Sequence, residues 1–137
     1  MTVILKILEH QYIHDHLDEI NKIINKTFPD YNIEKFVKPD YMFFEIRYNN
    51  EFAGLFNIYD HNRIQKFFII PELRGKGVGT EASKVIKRII RAQNIPLQNL
   101  HCYVKKNNLG AINFWKKNGF EITLREGDIV KMNCLEL

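Results

Sequence analysis

The chain has only two cysteines among its 137 residues, Cys102 and Cys134, too few for a disulfide scaffold. Free thiols in a reducing compartment are expected instead. Four prolines and seven glycines leave no material for a flexible linker, and no repeat or low-complexity segment is present. There is no apolar run of the length a bilayer demands. The opening Met1-Thr2-Val3-Ile4-Leu5-Lys6 is apolar but short, and it alternates with polar residues. It lacks the charged start and long apolar centre of a signal peptide, so it reads as a strand and the chain is expected in the cytoplasm. A net charge of +4 is modest. What remains is 45% hydrophobic, which supports a packed core at a length suited to one domain spanning residues 1–137.

The hydrophobic pattern divides this domain. Residues 2–8 alternate and predict a strand. Ile13, Leu17, Ile20, Ile24 and Phe28 recur at helical spacing and predict a helix over 11–27, stopped by Pro29. A short second helix is expected at 33–37. Strands are expected at 41–48 and 52–59 around an Asn49-Asn50-Glu51 turn, and at 63–70 after the Asp60-His61-Asn62 turn. Val78, Ala82, Val85, Ile86, Ile89 and Ile90 form a broad apolar stripe, so a helix follows and ends near Asn94 and Pro96. A strand at 99–105, a helix at 108–118 and strands at 120–125 and 129–135 complete the order.

The most informative segment is Phe68-Ile69-Ile70-Pro71-Glu72-Leu73-Arg74-Gly75-Lys76-Gly77-Val78-Gly79-Thr80. A β-branched run ends in proline, a basic glycine-rich turn follows, and a helix begins. Glycine lets main chain approach a ligand closely. The first N–H groups of a helix have no internal partner and carry the positive end of its dipole, so a diphosphate is the natural guest. A phosphate loop of the G-x-x-x-x-G-K-[ST] kind does not fit, because Lys76 sits inside the turn. The dinucleotide spacing G-x-G-x-x-G does not fit either. Arg74, Gly77 and Gly79 do fit Arg/Gln-x-x-Gly-x-Gly/Ala.

That pattern resembles the pyrophosphate loop of the GNAT superfamily of acetyl-CoA-dependent N-acetyltransferases. A second stretch is similar to a later motif of the family: Val104, then Asn108 opening a helix with Ala111 and aromatics, closed by Gly119-Phe120. Asn108 suits an N-cap and Gly119 a left-handed helix end. The resemblance implies a mixed α/β sheet in the order β-α-α-β-β-β-α-β-α-β-β, with the fourth and fifth strands splayed apart. It implies acetyl-CoA as co-substrate, held by the backbone of Phe68, Ile69 and Ile70 and by Arg74, Gly75, Lys76, Gly77, Val78, Gly79 and Thr80. Asn108 and Trp115 would meet the pantetheine arm. The backbone N–H of Ile70 would donate to the thioester oxygen.

Acetyl transfer needs a neutral amine, an aligned thioester, a stabilised oxyanion and a leaving thiolate. Many members of the family place a Tyr four residues after the motif alanine. Here Trp115 stands there, and an indole is not an acid. Tyr103 is the nearest alternative, and equally an ordinary strand aromatic. Glu45, Asp60, His61 and His101 are candidate bases, each of them otherwise plain surface or core. His14, Asp15 and His16 are metal-ligating types, but residues two apart do not share a helix face, so no metal site is expected. Phe28, Tyr31, Phe36 and Tyr41 are candidates for an acceptor pocket, with Asp30, Glu34 and Asp40 favouring a cationic amine. The expected partners are therefore acetyl-CoA and an amine acceptor, as monomer or homodimer, without membrane. Lys84, Lys87 and Arg91 read as a solvated helix face, and no nucleic-acid docking motif accompanies them. The alternative function is a CoA-binding sensor or interaction protein of the same fold that has lost catalysis.

Overall fold

A computed structural model describes residues 2–136. Its elements are β1 (Val3–Leu8), α1 (His10–Asp15), α2 (Leu17–Asn25), β2 (Tyr41–Tyr48), β3 (Glu51–Tyr59), β4 (Arg63–Ile69), α3 (Val78–Ala92), β5 (His101–Lys105), α4 (Leu109–Lys117), β6 (Phe120–Glu126) and β7 (Ile129–Cys134). Short 3₁₀ turns occupy Ile33–Phe36, Pro71–Leu73 and Leu97–Asn99. Met1, part of the expected first strand, lies outside the described residues. No helix among the described residues is long and apolar enough to cross a membrane.

The seven strands form one sheet in the order β1-β2-β3-β4-β5-β7-β6, and β4–β5 is its parallel pair. The sheet is covered on both faces, which explains the near-continuous apolar runs of its central strands. In β2, Phe43 faces one way, towards Ile13, Ile20 and Ile24 of α1 and α2. Its neighbour Phe44 faces the other way, towards Val78, Ala82, Ile86 and Ile90 of α3. Each such side chain contributes about 1.5–3 kcal/mol on burial. The same alternation sends Phe68 to the α1–α2 face and Ile69 to the α3–α4 face.

Turn chemistry sets the hairpins. Asn49 and Asn50 take φ of 50° and 68°, the left-handed pair that a two-residue loop demands. Asp60 and His61 are also left-handed, at 50° and 70°, in the three-residue loop 60–62 between β3 and β4.

Two expected helices differ in the structure. The helix expected over 11–27 is broken at His16, whose φ and ψ are −130° and 29°. Its Nδ1 donates to the carbonyl of Tyr12 at 2.8 Å. In an unbroken helix that carbonyl takes the His16 main-chain N–H, which goes to Ile13 instead at 3.1 Å. The second expected helix is only the 3₁₀ turn Ile33–Phe36. The strand expected from 99 starts at His101, because Leu97–Asn99 turns first.

Lys87 is also not solvated. It is 7% exposed, donates to the Asn118 carbonyl at 2.5 Å and pairs with Glu136 at 2.7 Å. Its stem crosses the apolar seam between α3 and the end of α4, and a buried ammonium requires such partners.

The register of β3 on β4 slips once. Asn57 faces Gln65 and Leu55 faces Phe68, so Phe56 alone opposes Lys66 and Phe67. This is a β-bulge, with Lys66 held at φ 52°. Beyond it β4 closes on β3 so tightly that a Cβ on Gly54 would lie 2.0 Å from the Phe68 carbonyl oxygen. Gly54→Ala is therefore expected to destabilise the fold by about 1–3 kcal/mol, read as a lowered urea midpoint. An unchanged midpoint would show that β4 moves freely.

Candidate active site

Parallel pairing between β4 and β5 consists of Arg63 opposite His101 and Ile64 opposite Cys102. After these two positions the strands part. The gap between them is part of a cleft of about 670 Å³ whose wall includes Gln65, Lys66, Phe67, Tyr103, Lys105, Asn108, Ala111 and Trp115. On the α1–α2 side it meets a second hollow of about 420 Å³, shared through Phe28, Tyr31, Phe36 and Lys66.

Strand alternation decides which main-chain groups face the gap. The Ile70 N–H is spent on the Ala53 carbonyl at 2.8 Å, on the β3 side. It cannot donate to a ligand in the cleft, which corrects the expectation for Ile70. Main-chain groups of successive strand residues point to opposite sides, so Ile69 presents its N–H and C=O to the gap. The Ile69 carbonyl accepts from Arg74 Nε at 2.8 Å. Arg74 thereby ties the loop to the end of β4, and it remains exposed.

The glycine loop sits at that same end. Gly75 and Gly77 take φ of 77° and 81°, where side chains are strained. Gly77 caps α3, and the first helical bond runs from Glu81 N–H to the Gly77 carbonyl at 3.1 Å. The N–H groups of Val78, Gly79 and Thr80 precede it and form the unpartnered first turn. Val78 is buried at 1% exposure, so only its main chain is available to a ligand. Gly79 has a packing reason: a Cβ there would meet the Phe114 ring at 2.9 Å. Lys76 is exposed beside the turn. Phe68 is buried in the core against α1 and α2, and its main chain, in phase with Ile70, faces β3 with its carbonyl against Gly54, so it does not offer the backbone contact expected of it.

Asn108 serves two ends at once. Its Oδ1 accepts from the Ala111 N–H at 3.1 Å as an N-cap, and the residue lines the cleft. Trp115 is 5% exposed and packs edge-on against Phe67 at 5.3 Å and Phe120 at 5.0 Å. It walls the cleft as an aromatic wedge.

Among the described residues no carboxylate and no histidine lines the main cleft. Glu45 is paired with Arg47 at 2.7 Å. Asp60 and His61 are exposed in their turn. His101 is fully engaged: Nδ1–H donates to the Asn99 carbonyl at 2.8 Å, and Nε2 accepts from Arg63 Nε at 3.3 Å. That arrangement fixes a neutral ring, and burial lowers its pKa from the ordinary 6.5. None of the four candidate bases is thus placed to take a proton in the cleft.

Tyr103 is 43% exposed on the cleft wall, with the Arg63 guanidinium 4.6 Å over its ring. Tyr31 lines both hollows, and burial pushes its phenol pKa up, so it stays protonated. Of the acidic residues expected at the acceptor side, Asp30 alone lines the second hollow. Asp40 lines a separate hollow with Met42, His61 and Gln93, and Glu34 is exposed on its 3₁₀ turn. Sequence reading missed Arg63, Lys66 and Lys105 on the cleft wall. Only the pairing of strands brings them together.

A model of the Acetyltransferase (GNAT) family matches residues 3–120 of the chain. Among solved structures, the PaiA N-acetyltransferase of Thermoplasma acidophilum in complex with coenzyme A is 17% identical, with 98% of this chain and 99% of that one covered at a TM-score of 0.66. The Campylobacter jejuni N-acetyltransferase PseH in complex with acetyl coenzyme A is 17% identical, covers 96% of each chain and has a TM-score of 0.69. An IAA acetyltransferase from Bacillus cereus is 13% identical, with 97% and 99% covered at 0.72. At such identities the likeness establishes the fold. No curated protein matches the chain.

Two outcomes follow from the buried groups. Between the folded and unfolded pKa of His101 the unfolded chain binds more protons, so stability rises with pH there. The urea midpoint should fall as pH drops from about 7 through the ordinary value of 6.5, and His101→Gln should flatten that slope. Burial also pushes the Cys102 thiol up to about 12, and Cys134 is raised too. Neither cysteine should react with a disulfide reagent at pH 8 until the protein is unfolded. Rapid native labelling would show an accessible Cys102 thiolate, which a covalent acyl carrier would need.

Proposed function

The chain belongs to the Acetyltransferase (GNAT) family, and on that footing we propose that it moves an acetyl group from acetyl-CoA to an amine by direct attack in a ternary complex. One observation carries this reading: β4 and β5 stop pairing after Ile64 and Cys102 and leave a cleft between them, and the chain runs on from the end of β4 into the basic glycine turn. The diphosphate would lie on the N–H groups of Val78, Gly79 and Thr80, with Arg74 and Lys76 beside it. The pantetheine arm would pair with the Ile69 main chain like an added strand, meeting its N–H beside a carbonyl that Arg74 also holds. The Ile69 N–H, not that of Ile70, would donate to the thioester oxygen.

The cleft has its own means of presenting a neutral amine. Arg63, Lys66 and Lys105 line it, and nearby positive charge disfavours a protonated amine. A carboxylate base is then unnecessary, and water carries the proton away. The leaving thiolate is stabilised by the same cations, and the Tyr103 hydroxyl on the cleft wall is the candidate to protonate it. Neither cysteine is suited to a covalent intermediate: both are buried, and burial raises the thiol pKa of Cys102, the one on the cleft wall. The cytoplasm, where acetyl-CoA is available, is the proposed location.

A second reading has specific support. The absence of a side-chain base in the cleft, with Trp115 where the family often has Tyr, suits a CoA-binding sensor with weak or no turnover. Calorimetry separates the readings from a plain structural turn. Acetyl-CoA should bind in the micromolar range while NAD and ATP do not. Gly77→Val places a branched side chain at φ 81° and should weaken binding by about a hundredfold or more, while thermal unfolding still shows a folded protein. Retained affinity in Gly77→Val would refute the loop assignment. Binding by the native protein without acetylation of any amine offered would favour the sensor.

A further inference from the structure

The charges in the two connected hollows are unequal. Arg63, Lys66 and Lys105 line the main cleft, and Lys35 and Lys66 line the second hollow, where Asp30 is the one acidic residue. None of these four cations has a carboxylate partner among the described residues. Their places are held by the fold. Lys66 projects from the bulge, and its ammonium sits 4.9 Å from the Phe28 ring centre. Arg63 is held between Tyr59 at 5.5 Å and Tyr103 at 4.6 Å, with its Nε on His101. A cation fixed on aromatic faces keeps most of its donors for something else.

These charges do not belong to the diphosphate loop. Lys66 precedes Ile69 by three strand residues, about 10 Å of chain, and Arg63 lies about 10 Å further back. The loop has its own cations in Arg74 and Lys76. Beside Asp30, Asn32 and Lys35, the hollow next to Lys66 has an aromatic wall of Phe28, Tyr31 and Phe36, with Tyr31 and Phe36 stacked at 5.0 Å.

We propose that the acceptor end of this cleft takes a small amine that carries an anionic group, a carboxylate or a phosphate, on an apolar body. The anion is held by Lys66 and Arg63 and the body by Phe28, Tyr31 and Phe36. The inference names the acceptor class for the acetyl transfer proposed above and rests on that reading. It reverses the cationic acceptor expected from Asp30, Glu34 and Asp40.

The test uses ligands without an amine, so it needs no turnover. Calorimetry on the full chain compares 3-phenylpropionate with 3-phenylpropionamide, and phenethyl phosphate with phenethyl alcohol, each with and without saturating CoA. Each anion should bind at least about tenfold more tightly than its neutral twin, the worth of one charge-assisted contact. The preference should persist with CoA bound. The stronger of the two arms identifies the anion as carboxylate or phosphate. Lys66→Gly should remove the preference. Glycine adopts the bulge conformation freely, so this variant should keep its thermal midpoint. Arg63→Gln should reduce the preference as well. Equal affinity of anion and neutral twin would overturn the inference. So would a preference abolished by CoA, which would place the anion on the loop, or one surviving both substitutions. Anion preference without any CoA binding would overturn the acetyl-transfer reading and leave the anion-binding hollow standing.

Discussion

The early parting of β4 from β5 is the constraint from which the rest of the molecule follows. A parallel pair normally satisfies its main chain along its whole length, and unpaired N–H and C=O groups inside a protein are costly. Here pairing ends after Ile64 and Cys102. The bulge at Lys66 turns β4 towards β3, and Gly54 lets the Phe68 carbonyl approach where any Cβ would collide. On the α4 side, Phe67, Phe114 and Trp115 pack as a wedge with ring centres 4.9–5.6 Å apart. That wedge keeps the gap from collapsing into an ordinary sheet. The open edge at Ile69 is therefore built in, and a ligand able to pair like a strand can complete it.

Charge is distributed by the same geometry. Arg74 and Lys76 stand at the glycine turn, where the helix dipole of α3 adds to them. Arg63 and Lys66 stand further back along β4, held on aromatic rings and away from carboxylates. Lys87, from the same stretch of basic sequence, is drawn into the core between Asn118 and Glu136 and reaches no ligand. Equal formal charges thus have three uses, and burial and partners decide which. Because the cleft has cations but neither histidine nor carboxylate on its main wall, acetylation here would depend on field and positioning more than on a dedicated base.

Local chemistry was legible in the sequence wherever it is decided within a few residues. The Asn-Asn and Asp-His turns, the apolar stripe of α3, the Asn108 cap, the Gly119 helix end and the glycine turn were all readable. The exceptions are instructive. The break at His16 follows from a side chain taking the Tyr12 carbonyl, which competes with the helix in a way that periodicity does not register. The Ile70 N–H, expected to face a thioester, is turned to the Ala53 carbonyl of β3, one residue out of phase with the side that faces the gap. In a strand that is the difference between the two sides, because main-chain direction alternates.

By itself, then, the sequence determined the family, the order of elements and the glycine-rich turn before α3, because each rests on contacts close along the chain: caps, glycine conformations and hydrophobic period. Only the tertiary structure decided where strands stop pairing, that Lys66 stands in a bulge, and which main-chain edge is open. It also decided that Glu34 and Asp40 are not on the cleft wall while Arg63, Lys66 and Lys105 gather on it. Those features depend on residues brought together from distant strands, and on whether a neighbour lies opposite each main-chain group. No local propensity encodes that.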